Sequence, residues 1–177
     1  MNFATIILII IFIIFMFTLV LFMSNLITTM VLNVPYVPSS KKFVKILLKS
    51  YKFDPKNTVA DLGCGDGTIL FGIRKQYPKL KLIGYEISLL PYLIAKTLNK
   101  FKKSNIDIYM KNYLKEDLSN IDTIFVYLFP TAMEKLYNHL KTFNKKFTII
   151  SRAFKLKGVK ETQVIKEGKY KIFIYKI

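Results

Sequence analysis

Residues 59–68 read Val-Ala-Asp-Leu-Gly-Cys-Gly-Asp-Gly-Thr, and they restrict the fold more than any other part of the chain. An apolar stretch ends in Asp61 and runs directly into three alternating glycines before a helix-like pattern begins. Glycine is demanded where the backbone takes φ > 0 or must let another group approach without a Cβ in the way. A buried strand, a glycine bend and a helix in that order form the first unit of a parallel α/β sheet. The spacing also separates ligand classes. Pyrophosphate-binding bends read G-x-G-x-x-G, whereas here the third position after Gly65 is Thr68. A carboxylate at the strand end suits a cationic amino group or sulfonium and would repel a pyrophosphate.

The remaining pattern extends that unit. Strands are expected at 58–61, 80–85, 106–110, 123–128, 147–151, 162–166 and 170–175, with helices at 68–76, 89–102 and 131–143 between the first five. Only Glu167-Gly168-Lys169 separates the last two strands, too short for a crossover helix, so they must form an antiparallel hairpin. Five parallel-type strands closed by one hairpin describe a Rossmann-like, seven-stranded α/β sheet of the class I methyltransferase plan. Dinucleotide dehydrogenases usually continue in parallel. Glu86 ends the second strand about 20 residues beyond Gly67, the interval at which nucleoside-binding sheets place an acid on ribose hydroxyls. The end of the third strand should reach the adenine, and Asn112 is the candidate there to accept from its amino group.

The chain divides by composition near residue 40. Positions 1–40 carry no Asp, Glu, Lys, Arg or His, so the formal charge of +17 belongs to the rest. From Phe3 to Leu32 the sequence is almost wholly apolar and exceeds the roughly 20 residues needed to cross a bilayer. It lacks the basic flank and cleavage site of a secretory signal, the alternative weighed against an anchor. Lys41, Lys42, Lys45 and Lys49 follow it, which places the domain on the cytoplasmic side by the positive-inside rule. Residues 1–33 are read as the anchor and hinge, and 34–177 as the catalytic domain. Residues 33–40 form a proline-punctuated hinge, after which Ser39 or Ser40 caps an amphipathic helix. That helix carries a stripe of Lys41, Lys45, Lys49 and Lys52, either an ordinary solvated face or one resting on anionic lipid. One cysteine and one histidine make a metal centre unexpected. His139 is expected at the surface and Cys64 is given no redox role.

Beyond these patterns, residues 34–158 resemble the small membrane-anchored protein-lysine methyltransferases whose eukaryotic members modify ATP synthase subunit c and the adenine nucleotide translocase. The matching pieces are the apolar anchor, Pro35-Tyr36-Val37-Pro38-Ser39-Ser40, the Asp61–Ile69 bend, Gly84-Tyr85-Glu86-Ile87-Ser88-x-Leu90, Val126 to Met133, and Ser151-Arg152-Ala153-Phe154. The chain departs from the family in having Asn112-Tyr113-Leu114 where Asp-Leu-Trp is usual. The resemblance implies S-adenosyl-L-methionine bound by Asp61, Gly63, Gly65, Glu86 and Asn112. It implies an acceptor side lined by Pro38, Ser39 and Phe129, with Tyr127 and Pro130 at the catalytic position and Tyr127 orienting the acceptor amine. A protein lysine is the expected acceptor. The rivals are a nucleic-acid methyltransferase, favoured by the charge, a small-molecule or lipid methyltransferase, and a non-catalytic membrane scaffold with the same fold.

Overall fold

The computed structural model describes residues 2–32 and 39–177, with side chains of the first helix described as far as Met23. That helix, α1 (Phe3–Leu32, 30 residues), has no charged residue at either end. Its segment Phe3–Met23 is long and apolar enough to cross a bilayer, with a mean hydropathy of 3.4. The proline segment 33–38, including Pro38, lies outside the described residues.

The chain resumes at α2 (Lys41–Ser50), where the Ser40 hydroxyl accepts the Phe43 N–H at 3.2 Å and caps the first turn. Phe43, Val44, Ile46 and Leu47 are buried while Lys41, Lys45 and Lys49 face outward, as the period of the sequence requires. There follow β1 (Thr58–Leu62), α3 (Thr68–Gln76), β2 (Lys81–Glu86), α4 (Leu89–Phe101), β3 (Asp107–Met110), a short turn of 3-10 helix (Tyr113–Lys115), β4 (Thr123–Val126), α5 (Pro130–Leu140), β5 (Thr148–Arg152), β6 (Gln163–Glu167) and β7 (Tyr170–Lys176). The seven strands form one sheet in the order β3-β2-β1-β4-β5-β7-β6. The first five are parallel, and β7 runs antiparallel to both β5 and β6. Order reverses beside β1, so the carboxyl ends of β1 and β4 border the crevice where open α/β sheets bind ligands.

β1 is buried along its whole length, as befits a central strand covered on both faces. One core, under α2, α3 and α4, holds Phe43, Leu47, Val59, Ile73, Phe125 and Ile150. The other, under α5, holds Ala60, Leu62, Ile124, Val126, Met133 and Leu136. Gly72 lets α2 pack on α3, because a Cβ there would overlap the Val44 side chain. Most expected boundaries move by one residue, and the ends of β4 and α5 move by two and three, to Val126 and Leu140. β4 stops at Val126 rather than residue 128, since its ladder with β5 ends at the Val126–Ser151 pair. α5 starts at Pro130, one residue earlier than expected, because proline's fixed φ and missing N–H suit the first helical position.

Candidate functional site

The bend after β1 is built by backbone geometry. Gly63, Gly65 and Gly67 all have positive φ, at +83°, +56° and +79°, which L-residues seldom adopt. The N–H groups of Gly63 and Cys64 both donate to the Tyr85 carbonyl, at 2.8 and 2.9 Å, and fasten the bend to β2. Asp66 Oδ1 then accepts the Thr68 N–H at 3.0 Å where α3 begins. Gly84, register partner of Asp61, clears space from the other side. A Cβ there would meet Cys64 Sγ and Leu70 Cδ1, each at 2.8 Å.

Glu86 lies two residues beyond Gly84, so strand alternation puts its carboxylate on the same face as that of Asp61. Its Oε2 accepts the Gly65 N–H at 2.8 Å; its Oε1 accepts those of Ile87 and Ser88 at 2.8 and 2.7 Å. Three of about four acceptor positions on the carboxylate are therefore filled by backbone. Glu86 holds the bend's shape and keeps one lone pair on Oε2 for a ligand. Asp61 is the opposite case. It is 3% exposed, and its carboxylate has no hydrogen-bond partner among the described residues. Burial, then the nearby Glu86 and Asp66 carboxylates, push its pKa well above the ordinary range. A buried carboxyl beside other carboxylates ionises readily only with a positive charge next to it. The Cys64 thiol between them is pushed up too, by burial first and then by Asp61 and Glu86.

At the end of β3, the Lys111 N–H donates to the Glu86 carbonyl at 3.0 Å, which places this segment against the same crevice. Asn112 Oδ1 accepts the Leu114 N–H at 3.0 Å and caps the short helical turn. Tyr113 is raised to about 12 by burial and the Glu86 charge, a neighbour of the cleft that spacing did not single out.

Tyr127 follows the last residue of β4 and sits beside Arg152, which ends β5. The Arg152 guanidinium lies 4.2 Å from the Tyr127 ring centre, 4.4 Å from that of Phe43 and 5.8 Å from that of Tyr170. It donates to the Ser39 hydroxyl at 3.0 Å, and no carboxylate pairs with it among the described residues. The Ser40 and Tyr170 hydroxyls bond at 3.2 Å. On the other side, Phe154 stacks on Tyr127 at 6.1 Å and meets Phe129 at 5.2 Å. Ala153 between them has φ +68°, and the Phe154 N–H donates back to the Arg152 carbonyl at 2.9 Å, a strained γ-turn. Ser39, Tyr127 and Phe129 thus gather around an aromatic cluster centred on Arg152, whereas Pro130 is exposed at the start of α5. Arg152, Phe43 and Tyr170 were missed. The one sequence signal was the Ser-Arg-Ala-Phe segment, which carries no mechanism until the register of β4, β5 and β7 is known. His139 is half-buried rather than at the surface, bonding the Glu116 carbonyl through Nε2 at 3.1 Å and thereby tying α5 to the turn after β3.

A family model described as the ANTKMT methyltransferase domain matches residues 61–163, the span from the strand-end acid to the start of β6. A protein-lysine N-methyltransferase of Saccharolobus islandicus (strain REY15A) is 30% identical over 139 residues, covering 76% of this chain and 85% of that protein. A tRNA (guanine-N(7)-)-methyltransferase of Meyerozyma guilliermondii is 34% identical over 56 residues, only 32% of this chain and 21% of that protein. Among solved structures, an RNA methyltransferase from Salinibacter ruber in complex with S-adenosyl-L-homocysteine superposes with a TM-score of 0.73 at 20% identity, covering 80% of this chain and 94% of that one. At that identity the likeness is one of fold.

Proposed function

The chain belongs to the ANTKMT methyltransferase domain family, and from that membership we propose that it is an S-adenosyl-L-methionine-dependent protein-lysine methyltransferase held at a membrane by α1. The observation that carries the cofactor reading is the buried, donorless carboxylate of Asp61 beside the positive-φ bend. The residues fit the group. Asp61 would take its cationic end, Gly63 and Gly65 would let it approach the backbone, the free lone pair of Glu86 would take a ribose hydroxyl, and Asn112 would border the adenine.

When bound, the cofactor supplies a methyl group on a sulfonium, and in-line displacement then needs an acceptor held in near-attack geometry rather than an acid–base pair. Tyr127 and Pro130 would serve at the catalytic position, Tyr127 orienting the incoming amine, and Phe129 and Phe154 would shield it from water, a role that the ring contacts of Phe154 with both support. A lysine must lose its proton before attack, and its reference pKa is about 10.4. The unpaired Arg152 guanidinium against Tyr127 favours that loss, because a like charge disfavours the ammonium. Lysine as acceptor is supported by the extent of the match to the Saccharolobus islandicus enzyme.

Residues 1–33 serve as anchor and hinge and 34–177 as the catalytic domain, with the lysines that follow α1 favouring the cytoplasmic side. The test incubates the full chain and methyl-labelled cofactor with membranes of the source cell. Label should appear in a protein band, survive nuclease and map to a lysine. Nuclease-sensitive label would instead support the RNA-directed reading that the +17 charge favours, and label extracting with lipid would refute both.

A further inference from the structure

We propose that α4 is a second attachment to the bilayer, an interfacial helix whose outer face lies in the headgroup region of an anionic membrane. The proposal rests on the reading of α1 as a bilayer-spanning anchor. The inner face of α4 buries Pro91 and Ala95 against the sheet. At 3.6 residues per turn, Leu90, Leu93, Ile94 and Phe101 fall within an arc of about 100° facing away from that core. They are 37%, 40%, 40% and 81% exposed, with α1 in place. In water such a face normally carries charge.

The charges that α4 does carry are all basic. Lys96 and Lys100 run along one flank of the stripe, Lys102 and Lys103 follow the last turn, and the helix contains no acidic residue. An apolar stripe bordered by lysines is the composition of a helix lying in a membrane interface. Two observations select lipid over a second copy of the chain as the occupant. α1 lies against α4, so the stripe adjoins the segment that would enter the bilayer. The basic flank complements anionic headgroups and repels an identical flank. The contact would also sit close to the chemistry. α4 begins three residues after Glu86, whose carboxylate accepts the N–H groups of Ile87 and Ser88 immediately before the helix.

The test uses the full chain in phosphatidylcholine vesicles with and without phosphatidylserine, carrying a nitroxide at one introduced cysteine. Native Cys64 is buried in the glycine bend and is shielded from the reagent. Leu93→Cys and Phe101→Cys report on α4, Phe12→Cys on α1, and Lys135→Cys on the solvated face of α5. At positions 93 and 101, dissolved oxygen should relax the label more than an aqueous nickel chelate does, as at position 12. That ratio should fall several-fold without phosphatidylserine. Labels at 93 and 101 that behave like 135 while 12 stays in lipid would overturn this proposal and leave the anchor standing. Labels shielded from both reagents would mean that protein covers the stripe, which also overturns it. Nickel access at position 12 would overturn the anchor and this proposal together.

Discussion

Asp61→Asn is nearly isosteric and removes one charge, so it isolates what the buried carboxylate does. Without ligand, that charge has no donor and faces Glu86 and Asp66. Relief from burial of the charge and from that repulsion should be worth about 1 kcal/mol, or a Tm rise of about 2–4 °C for a chain of this size. The sign with pH follows from linkage. Because the folded carboxyl keeps its proton to a higher pH than in the unfolded chain, the folded state binds more protons from about pH 4 up to its raised folded pKa. Stability of the wild type therefore falls as pH rises through that window, and the variant loses that decline. Cofactor binding should respond in the opposite sense. A charge-assisted contact is worth about 1.5–3 kcal/mol, so the variant should bind S-adenosyl-L-methionine about ten- to hundredfold more weakly. In the wild type a bound cation returns the carboxyl to its ionised form, binding releases a proton, and affinity tightens by up to about tenfold per pH unit within the window. Titration calorimetry in buffers of different ionisation enthalpy measures both quantities. Affinity within about threefold of wild type, with an unchanged pH profile, would refute the assignment of Asp61 to a cation.

Gly84→Ala should cost about 1–3 kcal/mol through overpacking against Cys64 and Leu70, read as a lower Tm; an unchanged Tm would mean the glycine bend moves freely. Glu86→Gln turns an acceptor into a donor facing either Gly65 or the Ile87 and Ser88 amides. It should cost about 1–3 kcal/mol and speed hydrogen exchange at Gly65, and unaltered exchange there would count against a structuring role. Arg152→Met keeps an apolar stem but loses the Ser39 bond and ring contacts worth about 0.5–1 kcal/mol each. Its rate profile should move to higher pH and return with Arg152→Lys; a profile that stays put would remove the like-charge argument. Tyr127→Phe should lower kcat about tenfold and leave cofactor Kd within about twofold, and an unchanged kcat would make Tyr127 a packing residue.

How far the sequence could be read depended on the range of the forces involved. The bounds of α3 follow from the Gly67-Thr68 boundary and agree with the structure, because the glycine conformation and the Asp66 side-chain bond are both local. The hairpin of β6 and β7 was legible for the same reason, since three residues cannot cross a sheet. The end of β4 was not. Leu128 has the composition of a strand residue, but the ladders of β4 end at the Leu62–Val126 and Val126–Ser151 pairs, which only the register decides. The aromatic cluster around Arg152 was out of reach for a stronger version of that reason. Phe43, Tyr127, Arg152 and Tyr170 come from α2, the residue after β4, β5 and β7, and meet only through strand order. Glu86 was recognised by its spacing, while its hold on three backbone amides depends on the path of the bend.

The bonds of Ser39 to Arg152 and of Ser40 to Tyr170 have a mechanical consequence. They stitch the corner of Tyr127 and Arg152 to the residues that lead into α2, and from Leu32 to Ser39 even a taut chain spans at most about 25 Å. That corner is consequently leashed to the end of α1. Lengthening the leash by inserted glycines would widen that radius without touching the glycine bend.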